Sequence, residues 1–574
     1  MILSMHPPRI WLYPLLIFMI LSLPAMARAQ DRLLDVMGDE LQREMKVLTT
    51  QDTPLYFMSY TVSDVHNTVV SASFGSLTDS DDSNNRILTV EVRVGDYQLD
   101  NTHELRGQYE FSSGSYMLLG RDDNPDALRT AIWQETNRQY RQAVERYTRV
   151  KTNIALKVAE EDTSADFSRR AEPATFYEPP VQIEKLCGDR TVWEEKVKKY
   201  SSLFLENENI YGGQAVFHFT VERKHFVTNE GTRIAQNLLY ARLSVSGFIK
   251  SSDGMELPLY RTYFAFEPDN LPKDEEVLAD VREMITKLEK LSDAPVVDPY
   301  TGPALLSGRA AAVFFHEILG HRVEGHRMKS ESEGQTFKKQ VGEKILSEHL
   351  DVVFDPTLKK YNGKDLMGYY QYDDEGVRAD EVTVVKSGKL EDFLMSRCPI
   401  EHFPASNGHG RAQAGNRPVS RQSNLIVKTS EPVSEENLRK KLIALCKQQG
   451  KEFGLLFQDI QGGFTYTGRS IPNVFNMMPT EVYRVYIDGR PDELVRGVDL
   501  VGTPLVMFSM IAEAGDTSEI FNGICGAESG SIPVSAVSPA LLVSQVEVQK
   551  KSKSQERPPI LPRPDTGMRG KKIY

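Results

Sequence analysis

The 574-residue chain has few cysteines, and their spacing excludes two common kinds of site. The four cysteines are Cys187, Cys398, Cys446 and Cys525. They are too few for a disulfide framework, and no two of them have the C-x-x-C spacing of a zinc ribbon or redox pair. Positive charge is also in deficit, since 80 acidic residues outnumber 68 basic residues and the formal net charge is -12. A nucleic-acid-binding surface is therefore not expected.

Long apolar runs are missing beyond the first thirty residues, so no later segment is predicted to span a membrane. At the start of the chain, an apolar run from Ile10 to Leu23 ends near the small-residue pattern Ala27-Arg28-Ala29. This arrangement predicts a secretory signal peptide that is cleaved after Ala29. The alternative is an uncleaved anchor, for which the apolar run is short. We therefore expect a periplasmic or secreted protein.

The remaining chain predicts an α+β fold. The first part of the chain shows helical periodicity and then the alternating pattern that is typical of strands. The polar run from Thr78 to Asn85 predicts a loop, and Asn124 is the expected N-terminal cap of a long helix. A meander of strands with helices follows, and then short strands joined by glycine turns form a β-rich domain. The predicted divisions are a signal peptide (1–29), an N-terminal mixed α/β domain (30–172), a middle α+β domain (181–292), a β-rich C-terminal domain (293–549) and a basic disordered tail (550–574).

The segment "FHEILGHRVEGHR" contains a histidine pair with an acid next to the first histidine. Hydrolytic zinc sites use three protein ligands, and a nearby carboxylate accepts the proton of the attacking water. His316 and His321 are five residues apart, which places them about 140° apart around a straight helix. They can share a metal only if the helix bulges or ends near Gly320. Otherwise they are unrelated surface or core residues.

The spacing alone does not identify a third ligand. Because Gly325 precedes His326 and allows the helix to end, we expect His326 to be exposed or to lie outside the ligand set. The remaining candidates are Glu324, His349, His402, His409 and a cysteine.

Several further segments occur together with the histidine helix. They are "VGEKILSEHLDVVFDP", "YYQYDDEGVRADEVTVVKSGKLEDFLMS", "SNGHGRAQ", "QGGFTYTG" and "ICGAESGSIPVSAVSPALLVSQVEV". In this order, and with "FHEILGHRVEGH" before them, they resemble the TldD/PmbA family of metalloproteases. The resemblance is close over about residues 293–549 and weaker over residues 30–292. Two positions depart from the family pattern: His326 replaces an acid, and Ser531 replaces a glutamine.

The resemblance implies the site residues. The family's zinc ligands correspond to His316, His321 and Cys525, and its catalytic glutamate corresponds to Glu317. In the implied mechanism, Glu317 takes a proton from the attacking water and passes it to the leaving amine of a peptide. The donor for the oxyanion is left open, with candidates in the matched glycine-rich segments: His409, Arg411 and Tyr466.

The implied activity is that of a zinc-dependent endopeptidase that hydrolyses peptides or unfolded protein segments. Members of the family enclose their active site in a dimer and bind peptide as an added strand, so a homodimer or a heterodimer with a related protein is expected. The alternative is a non-catalytic, zinc- or peptide-binding partner subunit. The presence of Glu317 beside the expected ligands favours the enzyme.

Overall fold

The computed structural model describes residues 31–105, 114–154, 162–169, 172–469 and 474–551. The predicted signal peptide and residues 552–574 of the predicted tail lie outside the described residues. Within the described ranges, no helix has both the length and the apolar character needed to cross a bilayer. All four cysteines lie in described residues, and none of them forms a disulfide.

The first half of the chain alternates helices with long strands. Its helices are α1 (Arg32–Leu48), α2 (Pro125–Ile154), α3 (Ile183–Cys187), α4 (Arg190–Ser202) and α5 (Asp274–Asp293). Its strands are β1 (Leu55–Ser73), β2 (Ser76–Val94), β3 (Met117–Leu119), β4 (Thr175–Tyr177), β5 (Ile210–Thr228), β6 (Arg233–Lys250) and β7 (Glu256–Ala265). As expected, Asn124 caps α2, since its side-chain oxygen accepts hydrogen bonds from the amides of Asp126 and Ala127.

These seven strands form a single sheet in the order β3-β2-β1-β5-β6, with β4 and β7 both paired to the outer edge of β6. The strands expected in separate N-terminal and middle domains therefore share one sheet, because β1 pairs along its length with β5. The loop predicted from Thr78 to Asn85 is wrong, since this run belongs to β2 and pairs with β1. Its polar side chains are mostly exposed, and backbone pairing does not need apolar side chains there.

The second half is rich in strands, as the sequence predicts. Its helices are α6 (Gly308–Ile318), α7 (His326–Lys329), α8 (Glu435–Gln448) and α9 (Pro504–Ser509). Its strands are β8 (Tyr300–Leu306), β9 (Leu350–Phe354), β10 (Lys360–Tyr361), β11 (Lys364–Asp365), β12 (Val382–Lys386), β13 (Lys389–Leu390), β14 (Gly410–Arg411), β15 (Val419–Ser420), β16 (Asn424–Thr429), β17 (Pro432–Val433), β18 (Phe453–Thr465), β19 (Phe475–Tyr486), β20 (Glu493–Val495), β21 (Val498–Gly502), β22 (Ile511–Ala527) and β23 (Gly530–Lys550). The described residues thus have the predicted α+β character, with the strand-rich part in the C-terminal half.

The long strand β23 organises this half. It pairs with β22, β16, β21 and β8, and the ladder from β23 through β21, β19, β18 and β8 returns to β23, so these strands close on themselves. Helix α6 packs against β18, β22 and β23. Its apolar residues form one core cluster with the surrounding strands. This packing places the end of α6 beside the hairpin of β22 and β23.

The D-D-E-G segment joins the two halves. Asp374 forms an ion pair with Lys224 of β5, and its other carboxylate oxygen accepts a hydrogen bond from the amide of Ala412. Nearby, Arg397 forms an ion pair of 2.7 Å with Glu230, which lies in the turn between β5 and β6. The N-terminal sheet is therefore fixed to the domain that contains the histidine helix.

Candidate metal centre

Helix α6 is a buried helix with a defined beginning. The Ser307 side chain accepts a hydrogen bond of 3.1 Å from the amide of Ala310 and caps the helix. Every residue of α6 except Arg309 is buried, which agrees with the continuous apolar run before the histidine. His316 and Glu317 occupy its last turn, so the imidazole and the carboxylate emerge from the interior of the domain.

The helix ends rather than bulges. After Ile318 the chain continues as a 3₁₀ turn over Gly320–Arg322. The guanidinium of Arg322 donates hydrogen bonds to the carbonyl oxygens of Glu317 (3.0 Å) and Ile318 (3.1 Å), which satisfies carbonyls left free at the helix end. The break brings the rings of His316 and His321 to a centroid distance of 5.1 Å, although five residues separate them.

Gly320 leaves room at this break for a neighbouring side chain, which approaches it closely. A Cβ atom at this position would lie 1.9 Å from Oε1 of Gln422. The side-chain nitrogen Nε2 of Gln422 donates a hydrogen bond of 3.2 Å to the backbone carbonyl oxygen of His316. Gln422 therefore packs across the break and holds the end of α6.

Cys525 completes the cluster from a distant part of the chain. It lies on β22, close to the turn into β23, and is 4% exposed. The ligand atoms of His316, His321 and Cys525 all lie within 4.8 Å of one another, and Sγ of Cys525 is 3.5 Å from Nε2 of His321. Tetrahedral zinc with ordinary Zn–N and Zn–S bonds needs about 3.5 Å between such atoms. The donor set and its spacing therefore fit zinc.

The charges of these groups favour a thiolate beside the imidazoles. Burial alone would raise the pKa of Cys525, but the charges of His321 and His316 hold this pKa well below its usual range. Conversely, burial alone would lower the pKa of His321, but Cys525 and Glu324 raise it well above its usual range. A deprotonated thiolate is the form of cysteine that binds metal.

Glu324 orients His321 and is not one of the clustered ligands. Its Oε2 lies 3.3 Å from Nδ1 of His321, which leaves Nε2 free to face Cys525. Burial opposes ionisation of Glu324, but the charges of His321 and Arg327 lower its pKa to about 2. Such a carboxylate on the second nitrogen fixes the ring of a metal-binding histidine. Glu324 was one of the alternatives for the third ligand, and the structure places it behind His321.

Glu317 is buried beside strand β18. It is 7% exposed, and it faces Gly463 of β18, where a Cβ atom would lie 3.0 Å from Cγ of Glu317. Glycine at this position leaves room for the carboxylate. Gly463 belongs to the "QGGFTYTG" segment, which thus lines the site without contributing a ligand to the cluster.

The other histidines considered as ligands lie outside the candidate metal cluster of His316, His321 and Cys525 found among the described residues. His326, which was expected to lie outside the ligand set, contacts the carboxylate of Glu528 through Nε2. His349 is hydrogen-bonded to Ser347, and His402 is exposed. His409 is fully buried.

Two of the three candidates for an oxyanion donor have other contacts, and the third has an exposed side chain. Nε2 of His409 is 3.0 Å from Oγ of Ser423. Arg411 donates hydrogen bonds to the carbonyl oxygens of Gln422 and Pro533. Tyr466 has a side chain that is 43% exposed. None of these contacts supports an assignment, so the oxyanion donor stays open.

Sequence reasoning missed the residues that support the cluster, Arg421 and Gln422. They follow β15 in the segment "SRQSN", about a hundred residues before Cys525. Neither is a typical zinc ligand, and neither stands in a recognisable motif. Only the approach of this segment to α6 and β22 reveals them.

Comparison with known proteins adds three findings. Residues 299–550 match the family model of the PmbA/TldA metallopeptidase C-terminal domain. A metalloprotease from Methanocaldococcus jannaschii is 26% identical over 393 residues, which cover 67% of this chain and 80% of that protein. A zinc metalloprotease TldD homolog from Saccharolobus solfataricus is 24% identical over 275 residues, covering 47% of this chain and 57% of that protein.

A solved structure supports the fold. The crystal structure of TldE from Thermococcus kodakarensis aligns with a TM-score of 0.59 at 13% identity, covering 90% of this chain and 100% of that chain. At this identity the likeness concerns the fold alone. It extends over both halves of the chain, beyond the C-terminal region that the family model matches.

Proposed function

Because the chain belongs to the TldD/PmbA family, we propose that it is a zinc-dependent endopeptidase that hydrolyses peptides or unfolded protein segments. The observation that carries this proposal is the convergence of His316, His321 and Cys525 within 4.8 Å, with Glu317 directly after His316 at the end of α6. Two imidazoles and a thiolate leave a fourth tetrahedral position for water or substrate, which is typical of hydrolytic rather than structural zinc sites.

In this proposal Glu317 is the general base and acid, and His316, His321 and Cys525 hold the metal. A zinc ion bound there would polarise the peptide carbonyl and make water easier to deprotonate. The carboxylate of Glu317 accepts the proton from the attacking water and delivers it to the nitrogen of the leaving amine. Gly463 keeps space for this carboxylate, and the buried surroundings of the site exclude bulk water.

The test compares the wild-type chain with Glu317→Gln on a mixture of unstructured peptides. We expect Glu317→Gln to bind zinc as the wild type does and to cleave about 10²–10⁴-fold more slowly, the usual contribution of a general base. The control is Glu343→Gln, which makes the same chemical change at an exposed position and should cleave at the wild-type rate. Removal of the metal with a chelator should abolish cleavage, and added zinc should restore it.

Two results would overturn this function. Equal turnover by wild type and Glu317→Gln would exclude the role given to the carboxylate. A wild-type chain that binds zinc but cleaves nothing would favour the non-catalytic partner subunit instead.

The location and assembly of the protein are also proposals. The pattern before Gln30 supports export and cleavage after Ala29. The family resemblance supports a dimer, with a second copy or with a related protein. Mass analysis of the N terminus of protein taken from the cell envelope, and the molar mass of the purified chain in solution, would test these two proposals.

A further inference from the structure

Arg421 contacts the proposed thiolate ligand directly. It is fully buried, and its Nη2 donates hydrogen bonds to the carbonyl oxygen of Cys525 (2.8 Å) and to Sγ of the same residue (3.3 Å). The backbone carbonyl and the sulfur of Cys525 are therefore both held by one planar guanidinium. A planar group with several fixed donors can do this, whereas a flexible ammonium cannot.

The same side chain fixes the hairpin that presents Cys525. Nη1 of Arg421 donates hydrogen bonds to Oγ of Ser529 (2.7 Å) and to the carbonyl oxygen of Gly530 (3.1 Å). Ser529 lies in the turn between β22 and β23, and Gly530 is the first residue of β23. Arg421 thus sets the position of the turn as well as the direction of the sulfur.

The third nitrogen of Arg421 faces Glu324, the acid that contacts His321. Nε lies 3.5 Å from Oε1 of Glu324, and among the described residues neither of these two buried atoms has a hydrogen-bond partner. Charge attraction is what holds them. The other oxygen of Glu324 contacts Nδ1 of His321. One cation therefore lies between the carboxylate that orients His321 and the sulfur of Cys525.

We propose that Arg421 is a positioning residue of the metal centre, which holds Cys525 and, through Glu324, His321 in the arrangement that binds metal, and which weakens the sulfur as an electron donor. This inference rests on the proposed zinc site. A hydrogen bond to sulfur withdraws electron density from it, and contacts of this kind to the ligands of a metal tune the metal's properties. The buried negative charge of Glu324 also needs a cation on each side, and Arg327 supplies the other.

The experiment measures metal binding to the purified chain and does not depend on cleavage. Zinc affinity is measured by competition with a chromophoric chelator, and Co²⁺ is bound in place of zinc to record the sulfur-to-cobalt charge-transfer band. We expect Arg421→Gln to bind zinc about 10–100-fold more weakly, as when other hydrogen-bond partners of metal ligands are lost. Its sulfur-to-cobalt band should move to longer wavelength, because the sulfur no longer accepts a hydrogen bond from Arg421 and becomes a stronger electron donor.

A matched control separates positioning from stability. Arg397 is also a fully buried arginine, but its guanidinium contacts Glu230 and the carbonyl oxygen of Ser168. We expect Arg397→Gln to lower thermal stability while leaving zinc affinity and the cobalt band unchanged. If Arg421→Gln does not fold, Arg421→Lys keeps the charge but cannot reach all the partners, and it should show a smaller loss of zinc affinity with a shifted band.

Wild-type zinc affinity and an unshifted cobalt band in Arg421→Gln would overturn the proposal. An equal loss of affinity in Arg397→Gln would also overturn it, since the effect would then be one of general stability. These outcomes are independent of the proposed activity. A chain whose zinc affinity depends on Arg421 but which cleaves no peptide would retain this inference and lose the endopeptidase function.

Discussion

The close contact between Gly320 and Gln422 allows a quantitative test of the helix break. In Gly320→Ala the new methyl group would lie 1.9 Å from Oε1 and 2.2 Å from Cδ of Gln422. Because this separation is far below a van der Waals contact, the Gln422 side chain must move. Its hydrogen bond to the carbonyl oxygen of His316 is then lost, at the point where α6 has to end.

Three terms set the size of the effect. Overpacking a buried site costs about 1–3 kcal/mol, and the lost hydrogen bond costs about 0.5–1.5 kcal/mol. The lower entropy of an unfolded alanine returns about 0.4–1 kcal/mol. We therefore expect Gly320→Ala to destabilise this region by about 2 kcal/mol, which corresponds to a roughly thirtyfold change in a local opening equilibrium.

Amide hydrogen exchange of α6 is the suitable assay. The tryptophans in described residues, Trp133 and Trp193, lie on α2 and α4 in the first half of the chain, so their fluorescence would report on those helices rather than on α6. Amides in α6 should exchange about thirtyfold faster in Gly320→Ala than in wild type. Gly462→Ala is the control, because a Cβ atom there meets nothing within 4 Å, and it should leave exchange in α6 nearly unchanged.

A second substitution identifies the contact. In the double variant Gly320→Ala/Gln422→Ala the clash is absent, so the two changes should together cost less than the sum of their separate effects by more than 1 kcal/mol. The reasoning is refuted if exchange in Gly320→Ala rises less than threefold, or if the costs of the two changes simply add.

Two other predictions concern Cys525 and His409. Cys525→Ala should purify without stoichiometric zinc by elemental analysis. Cys446→Ala, which alters another buried cysteine outside the candidate metal cluster, should retain zinc. Retention of zinc by Cys525→Ala would show that Cys525 is not the third ligand. Burial lowers the pKa of His409 from 6.5 to about 3, so the unfolded chain binds a proton between these values while the folded chain does not. The free energy of unfolding should therefore fall as the pH drops below 6.5, by up to about 1.4 kcal/mol per pH unit, and His409→Gln should reduce that slope; an identical slope in both proteins would show that His409 does not titrate in this way.

The sequence by itself determined the local elements and the need for a break. The cap at Asn124 and the buried character of α6 follow from side chains close together in the chain, and the structure has both. The spacing of His316 and His321 required a bulge or an end near Gly320, because a helix has a fixed rotation per residue. The family resemblance was sufficient to suggest Cys525, although nothing in its local sequence marks it as a ligand.

Only the tertiary structure decided how the break forms and what supports it. Gly320 lies where it does because of Gln422, which is a hundred residues further along the chain, and not because of its backbone freedom. Likewise, the polar run from Thr78 to Asn85 is a strand because β1 provides a partner for its backbone. The contacts of Arg421 with Cys525 and Glu324 join three distant segments, and side-chain patterns within a segment carry no information about which other segment will lie beside it. Distances between remote residues are set by the packing of β23 and α6, so the family resemblance could name the candidate ligands, but the sequence could not predict their supporting contacts.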